Sequence, residues 1–175
     1  VIEVYDGAIH NSPEIVKYLE RNAVWREARI GQHEGIADTS RRSNSVTSID
    51  PFDFRCPDLL RQFTKTIWYY LDDYAKRYQT GFAGIEPVNI NRYEPGEFYK
   101  PHSDDGPGHN RIISALLYLN NVESGGETEF IYQDVSVSPR EGRLVIFPSN
   151  YAYTHAAHPP TIGTKYSAAL WTARP

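Results

Sequence analysis

Hydrophobic positions recur with two different periods along the chain, and the change falls near Gly84. Before it, Leu59, Leu60, Phe63, Ile67, Tyr70, Leu71, Tyr74 and Tyr78 are spaced by threes and fours, which aligns them on one face of a helix. A long helix is therefore predicted over residues 57–78. A shorter one is predicted over residues 12–22, because Ser12-Pro13-Glu14 offers an N-cap, a proline at the first helical position and an early acid. Residues 1–5 read as a short apolar strand. Between the helices, residues 31–51 are polar and rich in Ser, Thr and Arg, with Arg41-Arg42-Ser43 near the middle. They predict a mobile loop flanked by short strands.

Beyond Gly84 the apolar runs become short and alternating, at residues 88–93, 111–120, 127–132, 135–138, 143–147 and 165–173. Pro95-Gly96, Gly106-Pro107-Gly108, Gly125-Gly126 and Pro159-Pro160 punctuate them, as turns between strands do. Helices gathered in the first half and strands in the second predict a mainly β fold. The expected form is a double-sheet jelly roll, or double-stranded β-helix, backed by N-terminal helices. No repeat or linker-like stretch interrupts the pattern, so residues 1–175 are expected to form a single domain.

Composition narrows the classes further. At 40% hydrophobic and 23% charged residues the chain is neither disordered nor fibrous, and 175 residues suffice to bury one sizeable core. A formal net charge of −4 argues against nucleic acid or an anionic membrane as the main partner. Cys56 is the only cysteine, which rules out an intrachain disulfide and a cysteine-based zinc site and points to a reducing compartment, taken as the cytoplasm. No apolar run approaches the roughly 18 residues of a membrane span. The start at Val1, without signal peptide or initiator Met, reads as a trimmed terminus.

Candidate chemistry begins at His102-Ser103-Asp104. On an extended segment, side chains two residues apart emerge on one face, so the imidazole and the carboxylate can reach one metal ion. A third ligand from a distant strand would complete the facial triad of two histidines and one carboxylate. Alone the pair is weak evidence, because His-x-Asp arises readily by chance in a chain with 6 His. The far end adds weight: His155 precedes Lys165 by ten residues, and Lys165 opens an otherwise apolar strand. By the two-residue period Lys165, Ser167, Ala169 and Trp171 share a face, where small residues between two large ones leave a slot. Facing inward, Lys165 would be a desolvated cation suited to a dicarboxylate. Facing outward, it would be a lysine reaching solvent from a strand end.

These residues resemble the prolyl 4-hydroxylase branch of the 2-oxoglutarate and Fe(II) dependent dioxygenases. Asn91-Arg92-Tyr93 through His102-Ser103-Asp104 resembles the metal-binding strand with its upstream tyrosine. Leu117-Tyr118-Leu119-Asn120 and Gly125-Gly126-Glu127-Thr128-Glu129-Phe130 resemble the middle block, and residues 142–147 and 155–171 the closing ones. The match spans roughly residues 88–173, with Arg42 and Ser43 a looser addition. The resemblance implies that His102, Asp104 and His155 hold iron and form the catalytic centre. It implies 2-oxoglutarate binding by Tyr93, Thr128 and Lys165, with Tyr118 a further candidate, and substrate contact by Arg111 and Trp171. It also implies O2 as oxidant, succinate and CO2 as products of the co-substrate, and ascorbate as a candidate reductant. Strand parity puts Arg111 out of phase with Tyr118, so one of them points away unless a bulge intervenes.

The remaining polar residues have plainer readings. His158 before Pro159-Pro160 and His109 in the Gly-Pro-Gly loop read as turn residues, and His10 and His33 as surface histidines. Asp105 is the rival carboxylate, with the wrong parity relative to His102. The implied substrate is a proline in a protein or peptide. The alternatives are a free amino acid, a nucleobase to be demethylated, a cupin-type isomerase, or a jelly-roll binding module without catalysis. Lys165 separates these, since neither an isomerase nor a binding module needs a dicarboxylate pocket beside the triad.

Overall fold

The computed structural model describes residues 1–30 and 35–175. In chain order the elements are β1 (Glu3–Tyr5), α1 (Ser12–Asn22), β2 (Arg26–Glu27), β3 (Ser45–Ile49) and α2 (Asp58–Arg77). There follow β4 (Gly84–Ile85), β5 (Val88–Tyr93), β6 (Tyr99–His102), β7 (Arg111–Tyr118), β8 (Ser124–Gly125), β9 (Thr128–Phe130) and β10 (Val135–Val137). The last are β11 (Leu144–Pro148), β12 (His155–Ala157), β13 (Pro160–Ile162) and β14 (Lys165–Ala173). An eight-stranded antiparallel sheet runs β1-β11-β7-β14-β5-β3-β2, with β4 paired to the end of β14. A four-stranded sheet runs β10-β9-β12-β6, and β8 pairs with β13 in a small third ladder. This is the expected jelly roll.

Alternation along β14 and β7 explains the layers. Tyr166, Ala168 and Leu170 of β14, with Ile113, Ala115 and Leu117 of β7, face the helices in one core. Against them α1 buries Ile15 and Leu19, and α2 buries Leu60, Phe63, Ile67 and Leu71. Each such side chain contributes about 1.5–3 kcal/mol. A second core of Tyr118, Phe130, Val137, Val145 and Phe147 joins the two sheets at one end. Toward the other end the space between the sheets stays open.

Three expectations need correction. The first helix is capped by Asn11, whose carbonyl accepts from Ile15 N–H; Ser12 is already helical, and its hydroxyl is buried without a partner. Pro160 opens β13 and does not form a turn, and it can do so because that ladder has only two strands. Gly125 makes the pairing possible: at φ +77° a Cβ there would meet Pro159 O at 2.5 Å.

The third correction concerns the polar segment. Its half from 41 to 49 is tied into both sheets and is not a free loop. β3 pairs with β5 along its whole length. Just before it, Lys100 N–H donates to Arg41 O at 2.8 Å, Ser43 N–H donates to Phe98 O at 3.1 Å, and Phe98 N–H donates to the Ser43 hydroxyl at 3.1 Å. The start of that segment, Gly31 to Glu34 including His33, lies outside the described residues.

Candidate active site

β6 ends on His102 and β12 begins on His155, and the ladder between these strands sets the two histidines directly opposite each other. Their rings lie 4.4 Å apart. Asp104 follows in the bend after β6, and one ligand atom from each of the three residues lies within 4.8 Å of the others. Nε2 of His102 is 3.9 Å from Asp104 Oδ1, and Nε2 of His155 is 3.8 Å from Oδ2. Nδ1 of His102 lies 2.9 Å from Lys100 O, and Nδ1 of His155 lies 3.1 Å from Tyr153 O. A carbonyl can only accept, so each Nδ1 carries the hydrogen and each Nε2 turns a lone pair inward.

Charge states agree with this geometry. Burial, reinforced by the facing His155, pushes His102 down to about 3, so its ring is neutral. Burial pushes the Asp104 carboxyl up, but His155, His102 and hydrogen bonds from Ser114 and Trp171 outweigh it and hold Asp104 below the ordinary carboxylate range. Lone pairs from imidazole and a carboxylate, converging in a cavity, fit a divalent first-row metal such as iron.

The cavity between the sheets has a volume of about 670 Å³. Lys165, Ser167, Ala169 and Trp171 all line it, as the two-residue period predicts. Lys165 is 1% exposed and faces inward. Its Nζ donates to Gly126 O at 2.8 Å and lies 4.7 Å from the centre of the Tyr93 ring, its cross-strand partner. Burial pushes the ammonium down to about 7, against a weaker opposing pull from Glu127. Tyr93 and Thr128 also line the cavity, and burial raises the Tyr93 hydroxyl to about 12, leaving it a neutral donor.

Tyr118 is the exception among the candidates. It is fully buried in the inter-sheet core, its hydroxyl 2.7 Å from Thr128 Oγ1 and 3.1 Å from Val137 O. Parity sends it toward the cavity face, but the side chains of β9 and β10 close over it there. It braces Thr128 from behind.

Arg111 does reach the cavity. The register of β7 against β14 steps from Ile113 opposite Thr172 to Arg111 opposite Ala173, so Ile112 is an extra residue and the side chains beyond it change face. The bulge resolves the parity conflict with Tyr118. Arg111 packs 3.8 Å over the Trp171 ring, makes a two-pronged ion pair with Glu86, its Nη2 to Oε2 distance 2.6 Å, and donates to Asp104 O at 3.3 Å.

Among the described residues, the other histidines and the rival carboxylate fall outside the three-ligand cluster. Asp105 accepts from Arg111 N–H and from Arg174 Nη2, and His158 pairs with Glu129 at 2.7 Å. Sequence reasoning missed Glu86, Ser114, Ser149 and Tyr99. Tyr99 stacks on His102, with ring centres 3.6 Å apart and an interplanar angle of 14°, and the Arg42 guanidinium covers its other face at 4.4 Å. Its place three residues before a candidate ligand is the one signal that could have found it. A larger groove of about 1360 Å³ runs past β2 and β3 and shares Arg29, Arg42 and Asn89 with the cavity.

Comparison with known proteins agrees with the site. The model of the 2OG-Fe(II) oxygenase superfamily matches residues 88–173, the stretch that carries every candidate residue. The chain is 33% identical over 189 residues to prolyl 4-hydroxylase subunit alpha-1 of Gallus gallus, covering 92% of this chain and 36% of that one. It is 31% identical over 113 residues to prolyl 4-hydroxylase 1 of Arabidopsis thaliana, covering 49% and 40%. It thus spans well under half the length of these two relatives. A viral collagen prolyl hydroxylase from Paramecium Bursaria Chlorella virus-1, solved with 2OG, superposes with a TM-score of 0.76 at 19% identity, covering 99% of this chain and 96% of that one. A Trichoplax adhaerens prolyl hydroxylase, solved with a hypoxia inducible factor peptide, superposes with a TM-score of 0.79 at 18% identity, covering 98% and 83%. At these identities the two structures speak for the fold, while the family match and the triad speak for the chemistry. Taken together they identify residues 88–173 as a 2OG-Fe(II) oxygenase domain, similar to those of prolyl 4-hydroxylases.

Proposed function

We propose that this protein hydroxylates a proline within a polypeptide while converting 2-oxoglutarate to succinate and CO2. The observation that carries the reading is one cavity holding the three-ligand cluster at one side and the buried ammonium of Lys165 at another. His102, Asp104 and His155 would hold Fe(II), which with 2-oxoglutarate and O2 supplies the oxidising chemistry. Lys165 pairs with the distal carboxylate, Tyr93 and Thr128 add hydrogen bonds, and Ser167 and Ala169 leave room for the carbon chain. The aromatic and aliphatic walls exclude water from the reacting atoms.

The burial of Lys165 has a measurable consequence. In the free cavity the amine loses its proton as pH rises through about 7. A carboxylate partner favours the ammonium, so co-substrate binding is expected to take up close to one proton at about pH 8 and almost none at about pH 6. Affinity then falls by up to about tenfold per pH unit above 7. Calorimetric titration in buffers of different ionisation enthalpy reads this uptake. Zero uptake at pH 8 would remove the assigned pairing.

The polypeptide reading rests on the groove of about 1360 Å³ that adjoins the cavity at Arg29, Arg42 and Asn89 and offers room for chain beside the reacting residue. The Trichoplax relative's complex with a peptide supports the same reading. An extended, proline-containing chain is already restricted and loses little entropy on ordering. Proline-containing peptides are expected to support succinate release with a gain of one oxygen atom in mass, and free L-proline to support little. Oxidation of free proline alone would leave the oxygenase reading standing and remove the peptide.

A further inference from the structure

The Asp104 carboxylate is held by more than the facing histidines. Ser114 on β7 places its hydroxyl 2.7 Å from Asp104 Oδ2, and Ser149, just past the end of β11, places its own 2.8 Å from Ser114 Oγ. The two serines are 2% and 1% exposed, so water does not compete for these bonds. Each hydroxyl has one hydrogen, and an ionised carboxylate can only accept. Ser114 must therefore donate to Asp104, which leaves its oxygen to accept from Ser149. The direction is fixed: Ser149 to Ser114 to Asp104. Ser149 also anchors the backbone around the site. Its carbonyl accepts from Asp105 N–H at 2.8 Å, and its N–H donates to Ile112 O at 3.0 Å.

We propose that Ser114 and Ser149 form a hydroxyl relay that sets which oxygen of Asp104 is offered to the metal. This rests on the reading of His102, Asp104 and His155 as the Fe(II) site. Both oxygens face the cluster, Oδ2 3.8 Å from His155 Nε2 and Oδ1 3.9 Å from His102 Nε2, but the relay engages Oδ2 and leaves Oδ1 without a hydroxyl partner. A carboxylate that gives one oxygen and not two keeps a further metal position open for co-substrate or O2. Both serines are positioning residues that act through Asp104. Arg111 also holds the Asp104 backbone carbonyl, so loss of the relay loosens Asp104 without releasing it.

The test is Mn(II) binding to the metal-free protein without co-substrate, followed by the electron paramagnetic resonance of the free ion. Wild type should bind and Asp104→Ala should not; equal binding by these two would remove the metal-site reading itself. Ser114→Ala is expected to weaken Mn(II) binding by roughly 10- to 100-fold, the usual cost of losing an outer partner of a metal ligand. Ser114→Thr keeps the hydroxyl and should stay within about threefold of wild type. Ser149→Ala should weaken binding by a smaller factor, about 3- to 10-fold, and add nothing in the Ser114→Ala background, because it works only through Ser114. Losses that multiply independently would overturn the relay, as would Ser114→Ala binding within about twofold of wild type. If circular dichroism shows Ser114→Ala unfolded, Ser149→Ala decides alone: binding equal to wild type sinks the proposal.

Discussion

Alanine in place of His102, Asp104 or His155 is expected to lower 2-oxoglutarate-dependent succinate formation by more than about a hundredfold. Losing an outer partner of a metal ligand typically costs about 10- to 100-fold, and these changes remove a ligand itself. The three residues come from β6, the bend after it and β12, so each deletion leaves two donors that cannot recruit a replacement from the same elements. Among the described residues no other His, Cys, Asp or Glu joins the cluster. Succinate release with a fixed peptide and excess Fe(II), compared across the three variants, checks this. One variant retaining more than a tenth of wild-type turnover under those conditions would show that its side chain is not a ligand.

Lys165→Ala should damage co-substrate binding and leave the metal cluster intact. Removing one member of a buried ion pair costs about 3 to 5 kcal/mol, or roughly a hundred- to several-thousand-fold in affinity. The amine is buried, and its one hydrogen bond among the described residues goes to the Gly126 carbonyl. Gly126 itself is confined, since a Cβ there would meet Lys165 Cδ at 3.2 Å. Neither contact neutralises the ammonium and the pull of Glu127 is weaker than the effect of burial, so the distal carboxylate would supply the close negative partner. Titration of 2-oxoglutarate into the Mn(II)-loaded variant measures the loss. An affinity within about threefold of wild type, under roughly 1 kcal/mol, would end the assignment.

Legibility in the sequence followed the strength of the local pattern. β14 forms over the residues its alternation predicts, Lys165–Ala173, because each face packs on a different layer and a one-residue slip would exchange them. The triad and Lys165 could be found because short fixed spacings carry them, two residues from His102 to Asp104 and ten from His155 to Lys165. β3 was hidden: Ser45-Val46-Thr47-Ser48-Ile49 is at best half-buried, and its place is set by pairing with β5 more than by apolar periodicity. The Ile112 bulge is a property of two strands in register, which neither strand shows alone. Ser114 lies on β7 and Ser149 just past β11, with no spacing between them to detect. Tyr118 has the right parity for the cavity, yet how deep it sits depends on Phe130 and Val137, which only the folded sheets bring over it.

The backbone bonds that join residues 41–43 to residues 98–100 tie two events together. The strand edge they hold belongs to β6, which ends on His102, and Arg42 presses Tyr99 onto that histidine's ring. A ligand gripped by the segment around Arg42 and an ion gripped by His102 therefore draw on the same contacts. Thermodynamic reciprocity follows: whatever free energy the ion adds to the docking of that segment, the docked segment returns to the ion. The rim of the groove and the floor of the cavity thus share one set of contacts, those of residues 41–43 with the β6 edge.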